Sequence, residues 1–220
     1  MQINLLKKVI IITLLFISCF IIEIFSKLTI NSFADCHNSF FKIEFLPLIL
    51  IGFLFGFKYG FLSNLLYLLI HFIFEYFYIS ETLFSSLDLS KLFIFCLFFF
   101  KFFLPYIYCS FSGLFYRQDL QHLNHKKNII LTFFIIVVLN IISVFLMVEI
   151  LSKLSPSSLH NIEHHEHDKN LFKFFFSENI PFKTIYLIYN LLSVLVNYFI
   201  ICLLFILIIP RLKDNLYKLS

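Results

Sequence analysis

The chain has 220 residues, a formal net charge of +4 and a composition that is 60% hydrophobic. A soluble domain would be expected nearer 45–50% apolar, so the balance excludes an ordinary water-soluble fold and points to an integral membrane protein. The modest, dispersed positive charge suits membrane topology better than a nucleic-acid surface. The five cysteines, at 19, 36, 96, 109 and 202, have no CxxC spacing and imply no disulfide framework.

Lys7 and Lys8 open the chain ahead of an apolar run over residues 9–25. The pattern is that of a signal peptide, and Phe16-Ile17-Ser18-Cys19 loosely resembles a lipoprotein cleavage site. Against cleavage, Cys19 is followed by Phe-Ile-Ile and the run continues to Phe25. A retained first helix is expected. Glu23 lies near its far end.

The next apolar stretch, residues 45–72, carries one charge, Lys58. As one helix it would overshoot a bilayer core of ~30 Å at ~1.5 Å per residue. Two spans, 43–57 and 59–78, folded back at Gly56-Phe57-Lys58-Tyr59-Gly60, fit better. The first is short and is expected to be tilted, to thin the bilayer or to be packed inside the bundle. Gly52, Gly56 and Gly60 recur at four-residue spacing, which lets helices approach closely. Glu44 opens the second span, and His71 and Glu75 sit one turn apart on the third.

The fourth span is expected over 92–116, with Lys101 near its midplane. An isolated ammonium there costs about 2.5–3.5 kcal/mol on insertion scales. Glu75 or His71 on the neighbouring helix could offset that cost, or Lys101 could bind a carboxylate or phosphate of a ligand. Pro105, followed by Tyr106 and Tyr108, frees a backbone carbonyl that a neighbour or a ligand must satisfy. The fifth span, 128–150, ends near Glu149. The sixth, 184–209, carries Tyr186, Tyr189 and Asn190 in its first third and Asn197 deeper, where an amide can read a heterocycle's edge or join two helices.

Between the last two spans lies His160-Asn161-Ile162-Glu163-His164-His165-Glu166-His167-Asp168. His160, His164, His165 and His167, with the carboxylates, are candidate ligands for Zn²⁺, Ni²⁺ or Co²⁺. A solvated loop of biased composition is the alternative. No Gly-rich phosphate loop, GxSxG or HExxH is present, so no enzyme activity and no cofactor is expected. Lys and Arg concentrate in the short segments on the N-terminal side of the bundle, which places both termini in the cytoplasm of a multi-pass cell-membrane protein. Glu23, Glu44, Glu75 and Glu149 then gather at the outer leaflet.

Three stretches resemble the substrate-binding S components of energy-coupling factor vitamin transporters, the thiamine-specific type in particular. IEFLPLILIGFLFGFKYGFLSNLLYLLIHF resembles helices 2 and 3 through Pro47, Gly56-Phe57-Lys58-Tyr59-Gly60 and His71-Phe72. KFFLPYIYCSFSGLF resembles the fourth helix, and YLIYNLLSVLV the start of the sixth. The resemblance implies an all-α bundle of six transmembrane helices. Such a bundle binds a small vitamin at its outer end, with a membrane coupling subunit and two ATPase subunits as partners. It also implies a site between helices 4, 5 and 6, with Asn190 matching the family's helix 6 Asn. Asn190, Tyr186, Lys101, Tyr106, Glu75 and His71 are the candidate substrate-binding residues. The chain departs from the family in placing Lys101 where the thiamine type has a Glu, and in having no tryptophan to stack on a ring. Helix 5 lacks the family's His, and helix 1 lacks the Ala-x-x-x-Ala that docks on the coupling subunit. The rival readings are a metal-uptake or metal-sensing membrane protein using the His-rich tract, and a structural or assembly protein with no ligand.

Overall fold

The computed structural model describes residues 5–29, 42–82, 91–116, 126–154 and 182–219. Among these the chain forms six helical rods and no strand. The first three are α1 (Leu5–Thr29), α2 (Phe45–Phe55) and α3 (Phe57–Thr82). The fourth rod is composite. It runs from α4 (Lys91–Phe98) through a π-helical turn (Phe99–Phe103) into α5 (Leu104–Cys109), and ends in a 3₁₀ segment (Ser110–Phe115). The fifth is α6 (Lys126–Leu154) and the sixth α7 (Phe182–Leu219). The expected span over 184–209 thus continues ten residues further, through Pro210.

Three of the rods are long and apolar enough to cross a bilayer, over Leu5–Ser26, Lys126–Lys153 and Lys183–Leu212. Their outward faces are apolar, with Leu14, Phe134, Phe199 and Leu207 among the exposed residues. The other apolar helices, Phe45–Phe55, Phe57–Ile73 and Phe99–Phe115, are shorter.

α2 is the centre of the bundle. Every residue of it except Leu46 is buried. It packs against α1, α3, the fourth rod and α7. A helix apolar on all sides gains nothing from a wet face and is stable only when enclosed. At ~1.5 Å per residue it is about 16 Å long, and enclosure resolves its shortness in favour of packing inside the bundle.

The turn between α2 and α3 is tighter than the five-residue reversal expected from sequence. Gly56 alone makes it, with φ 94° and ψ 170°, a conformation that side-chain-bearing residues avoid. α3 starts at Phe57, so Lys58, Tyr59 and Gly60 belong to its first turn. Gly60 serves packing instead. A Cβ there would lie 2.7 Å from Gly52 Cα. A Cβ on Gly113, in the 3₁₀ segment, would lie 2.2 Å from Phe57 N. Three backbones therefore meet at Gly52, Gly60 and Gly113, and Ser112 Oγ ties the seam by donating to Ile49 O at 2.8 Å.

The remaining rods close around α2. Phe53 and Phe133 both set rings edge-on to Phe205, at 5.2 and 5.3 Å between centroids. α6 and α7 are joined by Asn140 Nδ2, which donates to Tyr198 Oη at 3.1 Å. α1 lies along α2 and α3, with Phe20 at 4.8 Å from the Tyr67 ring.

Candidate functional site

Polar side chains from α1, α3, the fourth rod and α7 gather around the entry to the buried α2. The fourth rod's irregular backbone positions many of them. Its π turn sends the Leu104 N–H to Phe99 O, and Pro105 has no N–H to give Lys101 O. That freed carbonyl accepts a hydrogen bond from Lys42 Nζ at 3.2 Å. One turn on, the 3₁₀ segment draws the Ser110 N–H to Ile107 O. Tyr106 O accepts from Asn64 Nδ2 at 3.1 Å, and the same amide nitrogen reaches Ser110 Oγ at 3.0 Å.

Two carboxylates anchor the cluster. Glu23 of α1 accepts the Tyr67 hydroxyl through Oε2 and meets His71 Nδ1 at 3.0 Å through Oε1. Both acid and imidazole are buried, at 9% and 7% exposure. Glu44, just before α2, is 4% exposed and lies 3.4 Å from the Tyr106 hydroxyl, which donates to it. The Tyr106 ring packs against both Tyr67 and His71, at 5.4 and 5.8 Å between centroids. Buried groups of this kind persist where each finds a partner.

Lys42 closes the group from above α2. Its backbone N–H donates to Asn197 Oδ1 at 2.8 Å, and Asn197 is itself held by Ser193 O at 2.8 Å. Its ammonium lies 4.8 Å from the Phe102 ring centre, 5.5 Å from Phe45 and 5.7 Å from Tyr106.

The candidate residues read from sequence divide into two neighbouring groups. His71 and Tyr106 meet in the carboxylate cluster. Lys101 and Tyr186 meet apart from it, the Lys101 ammonium lying 5.3 Å from the Tyr186 ring centre, and Asn190 follows Tyr186 on the same helix. Tyr186 belongs to a buried apolar cluster with Met147, Val148 and Leu151 of α6, against which Cys96 and Phe100 of the fourth rod pack. Asn190 is half-buried one turn along, its Nδ2 donating to Tyr186 O at 2.7 Å.

Lys101, for which Glu75 or His71 is one expected offset and a ligand anion the other, lies with its ammonium against the Tyr186 ring. Phe102 is the residue that faces His71, at 5.9 Å. Lys101 precedes it by roughly a quarter turn of the rod and faces α7. α3 runs through Glu75, but its side chain lies outside the described residues, as do His160, His164, His165 and His167. Among the described residues no group of three or more His, Cys, Asp or Glu is placed to hold a metal ion. Glu149 does not join the other acids. It is exposed and paired with Lys153 at 3.2 Å and Lys183 at 2.7 Å.

Sequence reasoning missed Lys42, Asn64 and Asn140 as parts of the polar interior. Lys42 had a readable signal in Lys42-Ile43-Glu44 ahead of an apolar helix, opposite a proline that frees a carbonyl. Asn64 and Asn140 are amides inside apolar runs, as Asn190 is, and the same criterion would have found them. Comparison with family models, with curated proteins and with solved structures finds no match.

Proposed function

We propose that the chain is the solute-binding subunit of an energy-coupled membrane importer, of the S-component kind. It would capture a small vitamin at the outer face for uptake driven by partner ATPases. All six rods would span the bilayer with both termini in the cytoplasm, and α2 would cross only as part of the enclosed core. The observation that carries this reading is the meeting of Lys101 with Tyr186, beside Asn190, where the fourth, fifth and sixth rods pack. That is where the resemblance puts the ligand. A ring-bearing solute held there gains apolar burial from Tyr186 and the α6 side chains, with a few polar groups fixing its orientation. Lys101 supplies a charge and Asn190 an acceptor oxygen.

The test is binding by the purified chain. The vitamin that co-purifies is identified by mass spectrometry and its affinity measured for Asn190→Ala and Lys101→Ala. Loss of one hydrogen bond of about 1.4 kcal/mol weakens binding roughly tenfold, and Lys101→Ala is expected to cost at least as much. Unchanged affinity in both variants contradicts the site.

A further inference from the structure

The surroundings of Lys42 carry an inference that goes beyond the importer reading and does not depend on it. A lysine leading into a helix ordinarily extends its ammonium to water, where hydration is strong. Here the ammonium is drawn inward among Phe45, Phe102 and Tyr106, at 5.5, 4.8 and 5.7 Å from the ring centres. Lys101 O accepts from it at 3.2 Å. Glu44, buried and fixed by the Tyr106 hydroxyl, is near enough to interact with its charge. Ring faces, one carbonyl and one carboxylate are the groups that replace water around an organic cation, and aromatic cages for methylated ammonium ions are built from them.

The parts of this cage come from separated places in the chain. Phe45 and Glu44 come from the entry to α2, and Phe102 and Tyr106 from the fourth rod. The carbonyl lacks its usual donor four residues on because Pro105 has no N–H. The occupant, in contrast, reaches the cage on a four-carbon stem whose bonds all rotate, while the Lys42 backbone is pinned separately by Asn197. The ammonium can therefore leave without moving the cage.

We propose that this cage is a binding site for a compact organic cation, a small alkylammonium or a cationic nitrogen ring, and that Lys42 fills it as an internal substitute which such a cation displaces.

Lys42→Ala removes the equivalent of n-propylammonium from the cage, so that ion is the first probe. In the purified variant, propylammonium chloride is expected to raise the thermal midpoint by several degrees, restoring most of what the substitution lost. Neutral 1-propanol at the same concentration is expected to leave it unmoved. No rise with propylammonium, or an equal rise with propanol, overturns the proposal. Should Lys42→Ala fail to fold, the wild-type chain gives the second measurement. Acetylation of Lys42, followed by peptide mass spectrometry, is expected to increase at least tenfold when tetramethylammonium is added and not when tert-butanol is added. Unchanged labelling with tetramethylammonium overturns it. Neither measurement uses a partner subunit or a vitamin, so failure here leaves the importer reading intact, and failure of vitamin binding leaves the cage intact.

Discussion

Gly113→Ala is expected to destabilise the bundle by about 3 kcal/mol, at the upper end of what overpacking costs. The added carbon would stand 2.2 Å from Phe57 N, 2.5 Å from Gly56 C and 2.6 Å from Phe57 Cα. All three are backbone atoms at the α2–α3 turn, and none can rotate away. Gly52 of the seam and Gly56 of the adjoining turn serve as internal comparisons. At Gly52 the nearest atom is Ser112 Oγ, at 2.2 Å. That hydroxyl can swing aside and lose its bond to Ile49 O, at a cost of about 1 kcal/mol. At Gly56 the nearest atoms belong to the Tyr116 ring, but φ is +94°, and holding a side-chain-bearing residue there costs about 1–3 kcal/mol. Denaturant titration of the three variants in detergent should rank Gly113→Ala as the most damaging. A Gly113→Ala chain no less stable than Gly52→Ala would show that the three backbones do not meet as described.

Glu23→Ala should be the most damaging loss among the polar residues, at about 3–5 kcal/mol, the range for breaking a buried pair by removing one partner. Glu23 is the single acid of α1. It takes the Tyr67 hydroxyl and meets His71, so its removal strands two groups on α3 at once. Glu23→Gln keeps the shape and one acceptor oxygen and should cost clearly less. A double-mutant cycle with His71→Ala isolates the pair. Coupling of about 1–3 kcal/mol is expected for residues in direct contact, and strict additivity would contradict the contact. Besides this pair, α1 touches the bundle through an apolar face that includes Ile12, Leu15, Phe16, Cys19 and Phe20. The Glu23→Ala chain should therefore also become more susceptible to proteolysis within α1.

The rods themselves were legible, because long apolar runs and the break at Gly56 survive in one dimension. The glycine spacing at 52, 56 and 60 read correctly as a close approach, yet its third partner, Gly113, lies on another rod and no local pattern points to it. The enclosure of α2 was one of several outcomes its sequence allowed, since an apolar run looks the same whether lipid or protein surrounds it. Pro105 announced a freed carbonyl on Lys101, but not that Lys42, 59 positions before Lys101, would satisfy it. The π turn at Phe99–Phe103 leaves no mark in composition, and it is part of why Lys101 faces Tyr186 and Phe102 faces His71. Glu23, Glu44 and Glu149 were read alike as acids near one end of their helices. Packing separates them, because α1 and α2 bring the first two against tyrosines, while Glu149 stays on the surface between two lysines.

Solute capture with ATPase partners is tested most directly by isolating the tagged chain from its native membrane and identifying small molecules and protein partners by mass spectrometry from the same sample. A solute-binding importer subunit should bring with it a low-mass vitamin, a membrane coupling subunit and two ATPase chains. Recovery of the intact chain with neither solute nor ATPase would contradict the proposed role.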